Sequence, residues 1–146
     1  MLAPATGSRR AFCAQACCAG VGAALWSRGV GGQAELPTVK GEASAGRVRV
    51  TLSGTPLAAA GGYARVVSNA GSFLVTRLSE QEFQVFSATC SHESCLITEG
   101  DAEAFVCPCH GSRFDHRGAV LLGPAELPLY ACASTVAEGV LTITVA

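Results

Sequence analysis

The sequence predicts an all-β domain from residue 47 onward, and three observations predict it. Short runs rich in valine, threonine and aromatic residues recur along the chain, separated by clusters of Gly, Asn and Ser. One of them, Arg47-Val48-Arg49-Val50-Thr51-Leu52, alternates polar and apolar side chains, as a half-buried strand does. After residue 46 no stretch carries the sustained 3.6-residue periodicity of an amphipathic helix. Short strands at such spacing build a sandwich or a barrel.

Taken in order, the chain opens on a segment that reads as targeting. Ser8-Arg9-Arg10-Ala11-Phe12 matches the twin-arginine export pattern S-R-R-x-F, and an apolar run from Ala11 to Trp26 follows it. Residues 1–34 are therefore expected to be a twin-arginine signal or a membrane anchor. The run contains Gln15, ends at Ser27-Arg28 and falls short of the ~20 apolar residues of a spanning helix, which favours a cleaved signal over an anchor. Residues 35–46 are rich in Gly, Ala and Ser around Pro37 and read as a flexible linker. Residues 47–146 form the predicted domain.

Its strands follow the pattern above. Tyr63 to Val67, Phe73 to Leu78 and Phe83 to Phe86 are punctuated by Gly61-Gly62, Asn69-Ala70-Gly71 and Ser79-Glu80-Gln81. Ala104 to Val106 and Ala119 to Leu122 are shorter runs. Ala131 to Ala137 and Val140 to Val145 pair across a turn at Glu138-Gly139. Hydrophobic residues make up 49% of the chain and charged ones 14%, which supports a buried core. The net charge of −1 gives no electrostatic case for nucleic acid or for an acidic membrane surface.

Between two of these runs lies the densest chemistry of the chain. Cys90-Ser91-His92-Glu93-Ser94-Cys95 and Cys107-Pro108-Cys109-His110-Gly111-Ser112 hold four of the eight cysteines and two of the three histidines. Each box pairs a cysteine with a following histidine and keeps one further cysteine. Two thiolates and two imidazoles complete a metal site, and the remaining pair is free to form a disulfide. Zinc accepts such a set, but its usual fingers segregate cysteines and histidines into separate knuckles. Mixed boxes side by side would instead bring histidine beside histidine and cysteine beside cysteine. That division suits a [2Fe–2S] centre with two His on one iron and two Cys on the other.

The boxes resemble those of Rieske iron–sulfur proteins, C-[TS]-H-x-x-C and C-P-C-H-G-S. Phe114-Asp115, Gly118 and Gly123-Pro124-Ala125 match the family's downstream F-D-x-x-G and G-P-A segments. The match is close over residues 85–131 and looser in the flanking strands. The resemblance implies a fold of three stacked antiparallel sheets, with a small cluster-binding subdomain at one tip made by the two boxes and the Gly123-Pro124-Ala125 loop. It implies a [2Fe–2S] cluster held by Cys90 and Cys107 on one iron and by His92 and His110 on the other. It also implies a disulfide between Cys95 and Cys109 that ties the two boxes. Ser112 falls where the family donates a hydroxyl to a cluster sulfur. Phe114 falls where high-potential members carry a tyrosine.

The other candidates have plainer readings. His116 is expected to be a solvated loop histidine, because the four ligand places are filled. Asp115 reads as a turn anchor, and Gly111 and Gly118 as positive-φ positions. Cys132 reads as a buried free thiol. The function implied is one-electron transfer by an exported protein on the periplasmic side. The resemblance suggests the iron–sulfur subunit of a quinol-oxidising cytochrome bc-like complex, with cytochrome b, a c-type cytochrome and a quinol as partners. A small subunit of another exported oxidoreductase is the alternative, of the arsenite oxidase kind with a molybdopterin partner. A stand-alone Rieske protein is a further alternative. The ferredoxin of a ring-hydroxylating dioxygenase fits less well, since those ferredoxins generally lack the disulfide pair and the export signal. Family members in quinol-oxidising complexes usually carry an apolar residue and glycine where this chain has Glu93-Ser94.

Overall fold

A computed structural model describes residues 32–145, and the export motif and apolar run lie outside the described residues. Among the described residues, thirteen short strands form three sheets. The first sheet is ordered β1 (Ala34–Glu35), β8 (Glu99–Gly100), β9 (Ala104–Val106), β10 (Arg113–Asp115), β11 (Val120–Leu122). In the second, the order is β2 (Thr38–Lys40), β5 (Tyr63–Ser68), β6 (Gly71–Arg77), β7 (Phe83–Ser87). The third runs β12 (Ser134–Ala137), β13 (Val140–Thr144), β4 (Arg47–Thr51), β3 (Glu42–Ser44). Among the described residues, no helix is long and apolar enough to cross a membrane.

The second sheet is the middle layer, and β6 shows why. Phe73 and Val75 join one apolar cluster with Val48 and Val50 of β4 and Leu141 and Ile143 of β13. Leu74, one residue out of phase, joins the other cluster with Phe105 of β9 and Phe114 of β10. A strand buried on both faces needs no polar side, which accounts for the unbroken Phe73-Leu74-Val75 run. By contrast β4 alternates, with Val48 and Val50 wholly buried and Arg47 and Arg49 exposed, because only one of its faces meets the core.

The turns follow from local chemistry. Glu138 (φ 50°) and Gly139 (φ 73°) both take left-handed conformations, as the two-residue turn of the β12–β13 hairpin demands. Pro56–Ala58 form a single 3-10 turn whose first free amide, Leu57 N–H, donates to the Thr55 hydroxyl at 3.2 Å. Arg77 then donates to the carbonyls of Leu57, Ser79 and Glu80 at 3.0 Å each, fastening that turn to the end of β6.

Residues 35–46, read from composition as a linker, are built into the sheets. β1 pairs with β8, β2 pairs with β5 and β3 pairs with β4, so the segment touches all three layers. Leu36 and Val39 anchor it, at 3% and 8% exposure. Gly41 lets it pass between layers, since a Cβ there would lie 2.5 Å from a Val48 methyl. The β2–β5 pairing is parallel, so the sheets are antiparallel at every pairing but one. The stretch after Pro128 also differs from expectation. Ser134–Ala137 pairs with β13, extended by Thr144 N–H to Ala133 C=O, while residues 130–132 lie along β7 through Ser87 N–H to Tyr130 C=O and Cys132 N–H to Val85 C=O.

Candidate metal centre

Both boxes are hairpin tips. Cys107 follows β9 and Ser112 precedes β10, and these strands pair in register at Val106↔Arg113. An isolated bridge, Thr89↔Leu96, closes the first box in the same way. Their backbones repeat one another. Cys90 N–H donates to Cys95 C=O at 2.8 Å and Ser94 N–H to Cys90 C=O at 3.0 Å. The second box repeats this with Cys107 N–H to Ser112 C=O at 2.9 Å and Gly111 N–H to Cys107 C=O at 3.0 Å. The fifth residue of each loop is left-handed, Ser94 at φ 58° and Gly111 at φ 75°. Gly111 adopts that conformation freely, whereas Ser94 pays ~1 kcal/mol for its Cβ.

This shared frame sorts the side chains by depth. Cys90 and Cys107, at the first place of each loop, are buried at 2% and 1% exposure. His92 and His110 point outward, with ring centroids 5.0 Å apart and planes at 85°. Cys95 and Cys109 form a disulfide between the loops, with Cα atoms 6.5 Å apart. Burial pushes the Cys107 thiol above its ordinary range; the amides of Cys109 and His110 pull it down, and the neighbouring Cys90 thiol raises it again. Two buried sulfurs side by side under backbone N–H donors are a poor place for free thiols. They suit a metal, which deprotonates a coordinating thiol outright and balances its charge. Two buried sulfurs beneath two exposed imidazoles fit the donor set of a [2Fe–2S] centre with mixed ligation.

A third loop covers the flank of this site. Ala125 N–H donates to the Ser112 hydroxyl at 3.0 Å, and the Ser91 hydroxyl donates to Leu127 C=O at 2.6 Å. Gly123 and Pro124 lie exposed at its start, while Ala125 and Leu129 are buried in the cluster that also contains Cys90 and Cys107. Ser112 is fully buried, and its own O–H meets no acceptor among the described residues. Phe114 is fully buried in the same cluster, paired through its backbone with Phe105 and Val120.

His116 is where expectation and structure part. It is half-buried, stacked on Phe105 at 4.7 Å and edge-on to Tyr63 at 4.6 Å. Nδ1 lies 3.4 Å from the Thr76 hydroxyl and Nε2 3.2 Å from Asp101 C=O, so the ring joins the first and second sheets. Its neighbours come from distant strands, which no local pattern announces. Asp101 beside it also binds Arg113 at 2.8 Å. Burial alone would raise the Asp101 pKa, but the Glu103 amide, Arg113 and the Ala104 amide together hold it below the usual carboxylate range. Asp115 is the turn anchor expected, accepting from Arg117 N–H at 2.8 Å and Ala119 N–H at 2.9 Å. Cys132 is a half-buried free thiol whose pKa burial raises. The Ser91 link was not legible in sequence, because Leu127 lies 36 residues away.

Comparison with known proteins gives the same picture. The sequence model of the Rieske [2Fe-2S] domain matches residues 33–133. The cytochrome b6-f complex iron-sulfur subunit of Trichodesmium erythraeum is 39% identical over 59 residues, covering 40% of this chain and 33% of that protein. The Rieske subunit of the mitochondrial cytochrome b-c1 complex of Pongo pygmaeus is 37% identical over 60 residues, covering 37% of this chain and 22% of that protein. The aligned region thus spans a third or less of these relatives' lengths. Among solved structures, a naphthalene 1,2-dioxygenase mutant bound to phenanthrene superposes with a TM-score of 0.51 at 21% identity, over 60% of this chain and 23% of that one, a likeness of fold. The family match takes in both boxes and the third loop. With a fold and a donor set that agree with it, the chain belongs to the Rieske [2Fe-2S] family, whose domain binds a [2Fe–2S] cluster.

Proposed function

We propose that Cys90 and Cys107 hold one iron of the cluster and His92 and His110 the other. We propose further that the protein is the iron–sulfur subunit of a quinol-oxidising cytochrome bc-like complex. The observation that carries this reading is the layering of two buried thiols beneath two exposed imidazoles, on hairpin tips locked by a disulfide. The relatives named for cytochrome b6-f and b-c1 complexes favour a cytochrome b and a c-type cytochrome as partners. The cluster supplies a centre that takes up and releases one electron. The chain supplies the rest. Amides of Cys109 and His110 stabilise negative charge on the Cys107 sulfur. On this reading His92 or His110 would accept a hydrogen bond, and then a proton, from a quinol hydroxyl at its exposed ring nitrogen.

Export by the twin-arginine route to the periplasmic side belongs to the same proposal, with residues 1–34 as cleaved signal or retained anchor. Ser8-Arg9-Arg10-Ala11-Phe12 supports it, as does the Cys95–Cys109 disulfide, which persists in an oxidising compartment. Deleting the protein should abolish quinol-dependent reduction of c-type cytochrome in native membranes, and the full chain should restore it. An undiminished rate in the deletion strain would remove the protein from that pathway. A second reading draws on Glu93, whose carboxylate stands beside His110 and would meet an apolar quinol pocket badly. It makes the protein the small subunit of another exported oxidoreductase, with a molybdopterin subunit as partner.

The buried hydroxyl gives a prediction for either reading. On the proposed assignment the Ser112 hydroxyl, buried and without an acceptor among the described residues, would donate to a cluster sulfur and stabilise the added electron. Ser112→Ala should lower the midpoint potential by on the order of 60 mV, the equivalent of about 1.4 kcal/mol for one electron. Phe114→Tyr should raise it, if the new phenol reaches a ligand sulfur from the buried ring position. Protein-film voltammetry measures both. A Ser112→Ala midpoint equal to wild type would show that the hydroxyl does not face the cluster.

A further inference from the structure

The imidazole end carries carboxylates without a lysine or arginine: its three loops, residues 90–95, 107–112 and 123–129, contain Glu93 and Glu126 and neither cation. The cations of the described chain lie elsewhere. Lys40, Arg47, Arg49, Arg65 and Arg77 belong to the second and third sheets, Arg113 is paired with Asp101, and Arg117 lies at the other end of the β10–β11 hairpin. Glu93 is 61% exposed, with Oε2 3.7 Å from His110 Nδ1, and no lysine or arginine pairs with it among the described residues. Two leucines are exposed beside these loops: Leu127, whose carbonyl meets Ser91 of the first box, at 66%, and Leu122, at the end of β11 opposite Arg113, at 59%.

We infer that Glu93 selects the redox partner, and that the partner surface docking on the imidazole end is cationic, a lysine- or arginine-bearing rim around its own redox centre. The inference rests on the reading that His92 and His110 hold the cluster. Electrons leave through the exposed imidazoles, so a partner must approach them closely, and Glu93 stands in the way. A carboxylate buried without a counter-charge keeps two surfaces apart, because it loses hydration that nothing replaces. A lysine or arginine opposite it turns the same group into an anchor and a steering charge. That device suits transient electron-transfer encounters, whose on-rates respond to complementary charge. The leucines would supply the apolar ground of the contact, and Glu93 its orientation.

The test uses two trivalent oxidants of opposite charge, tris(phenanthroline)cobalt(III) and hexacyanoferrate(III), reacting with the reduced, cluster-loaded full chain in stopped flow. For a trivalent ion about 10 Å from a single charge in water, removing that charge changes the encounter by about three- to tenfold at ~10 mM ionic strength. Glu93→Gln should slow the cobalt complex by that factor, speed hexacyanoferrate by a similar one, and lose both effects in ~0.5 M salt. Rates are compared after correction for each variant's own midpoint. Glu93→Asp should behave as wild type, and Glu126→Gln should give a smaller shift of the same sign. Opposite changes for the two oxidants cannot come from a damaged fold, which would move both together. Rates that move together, or do not move, overturn the inference. Wild-type protein without a Rieske spectrum would instead defeat the ligand assignment, so the two failures are distinguishable.

Discussion

Replacing His110 with alanine should eliminate the Rieske centre. Wild-type protein is expected to contain about two irons and two acid-labile sulfides per chain, the content of one [2Fe–2S] group. The imidazole cannot be replaced from its surroundings. On the proposed assignment His92 would be committed to the same iron, and the nearby sulfurs of Cys95 and Cys109 are joined to each other. Glu93 is the nearest spare donor, but it is a hard oxygen ligand beside a sulfide-bridged iron. His110→Cys is the sharper variant, because it converts mixed ligation towards all-thiolate ligation. The midpoint should then fall by a few hundred mV, the gap between Rieske centres and plant-type ferredoxins. Iron and sulfide analysis with electron paramagnetic resonance reads both variants. One zinc per chain and no sulfide in the wild type would sink the cluster assignment altogether.

The second large effect concerns the disulfide. Cys95 and Cys109 are separated by 14 residues, and a cross-link closing a loop of about that size contributes ~3 kcal/mol. Here the stabilisation falls on the two loops that carry every proposed ligand. Cys95→Ala should therefore shorten the lifetime of the cluster in air by more than tenfold. The single variant has a further liability, since Cys107 lies within 4.8 Å of both disulfide sulfurs. Freeing the Cys109 thiol places a competing ligand and an exchange partner beside a proposed ligand cysteine. The double variant Cys95→Ala/Cys109→Ala removes that thiol and should lose its cluster more slowly than the single one, though faster than wild type. Bleaching of the visible absorption in air-saturated buffer follows the loss. Equal lifetimes for wild type and the double variant would show the bridge to be idle.

The sequence by itself determined the chemistry of this protein, because that chemistry is local. Cysteine, histidine and the residues that turn the chain between them lie within two six-residue boxes, and ligand type and spacing define the centre. Strands with one wet face were equally legible: β4 alternates because alternate side chains meet core and water. The Glu138-Gly139 turn was readable because a two-residue hairpin turn needs two left-handed residues.

Tertiary structure decided whatever depends on partners distant in sequence. Residues 35–46 look like a linker by composition, yet Leu36 and Val39 find buried places. β2 gains hydrogen bonds from a parallel strand that begins at Tyr63, a pairing that small and polar residues do not advertise. His116 became a half-buried strut because Tyr63, Thr76, Asp101 and Phe105 converge on it from both layers. The repeat of the two boxes was hidden because it resides in backbone hydrogen bonds, and Ser94 takes the left-handed place that Gly111 fills without strain. Side-chain identity sets which groups can bind iron; only the folded backbone decides which thiols are buried together and which imidazoles face solvent.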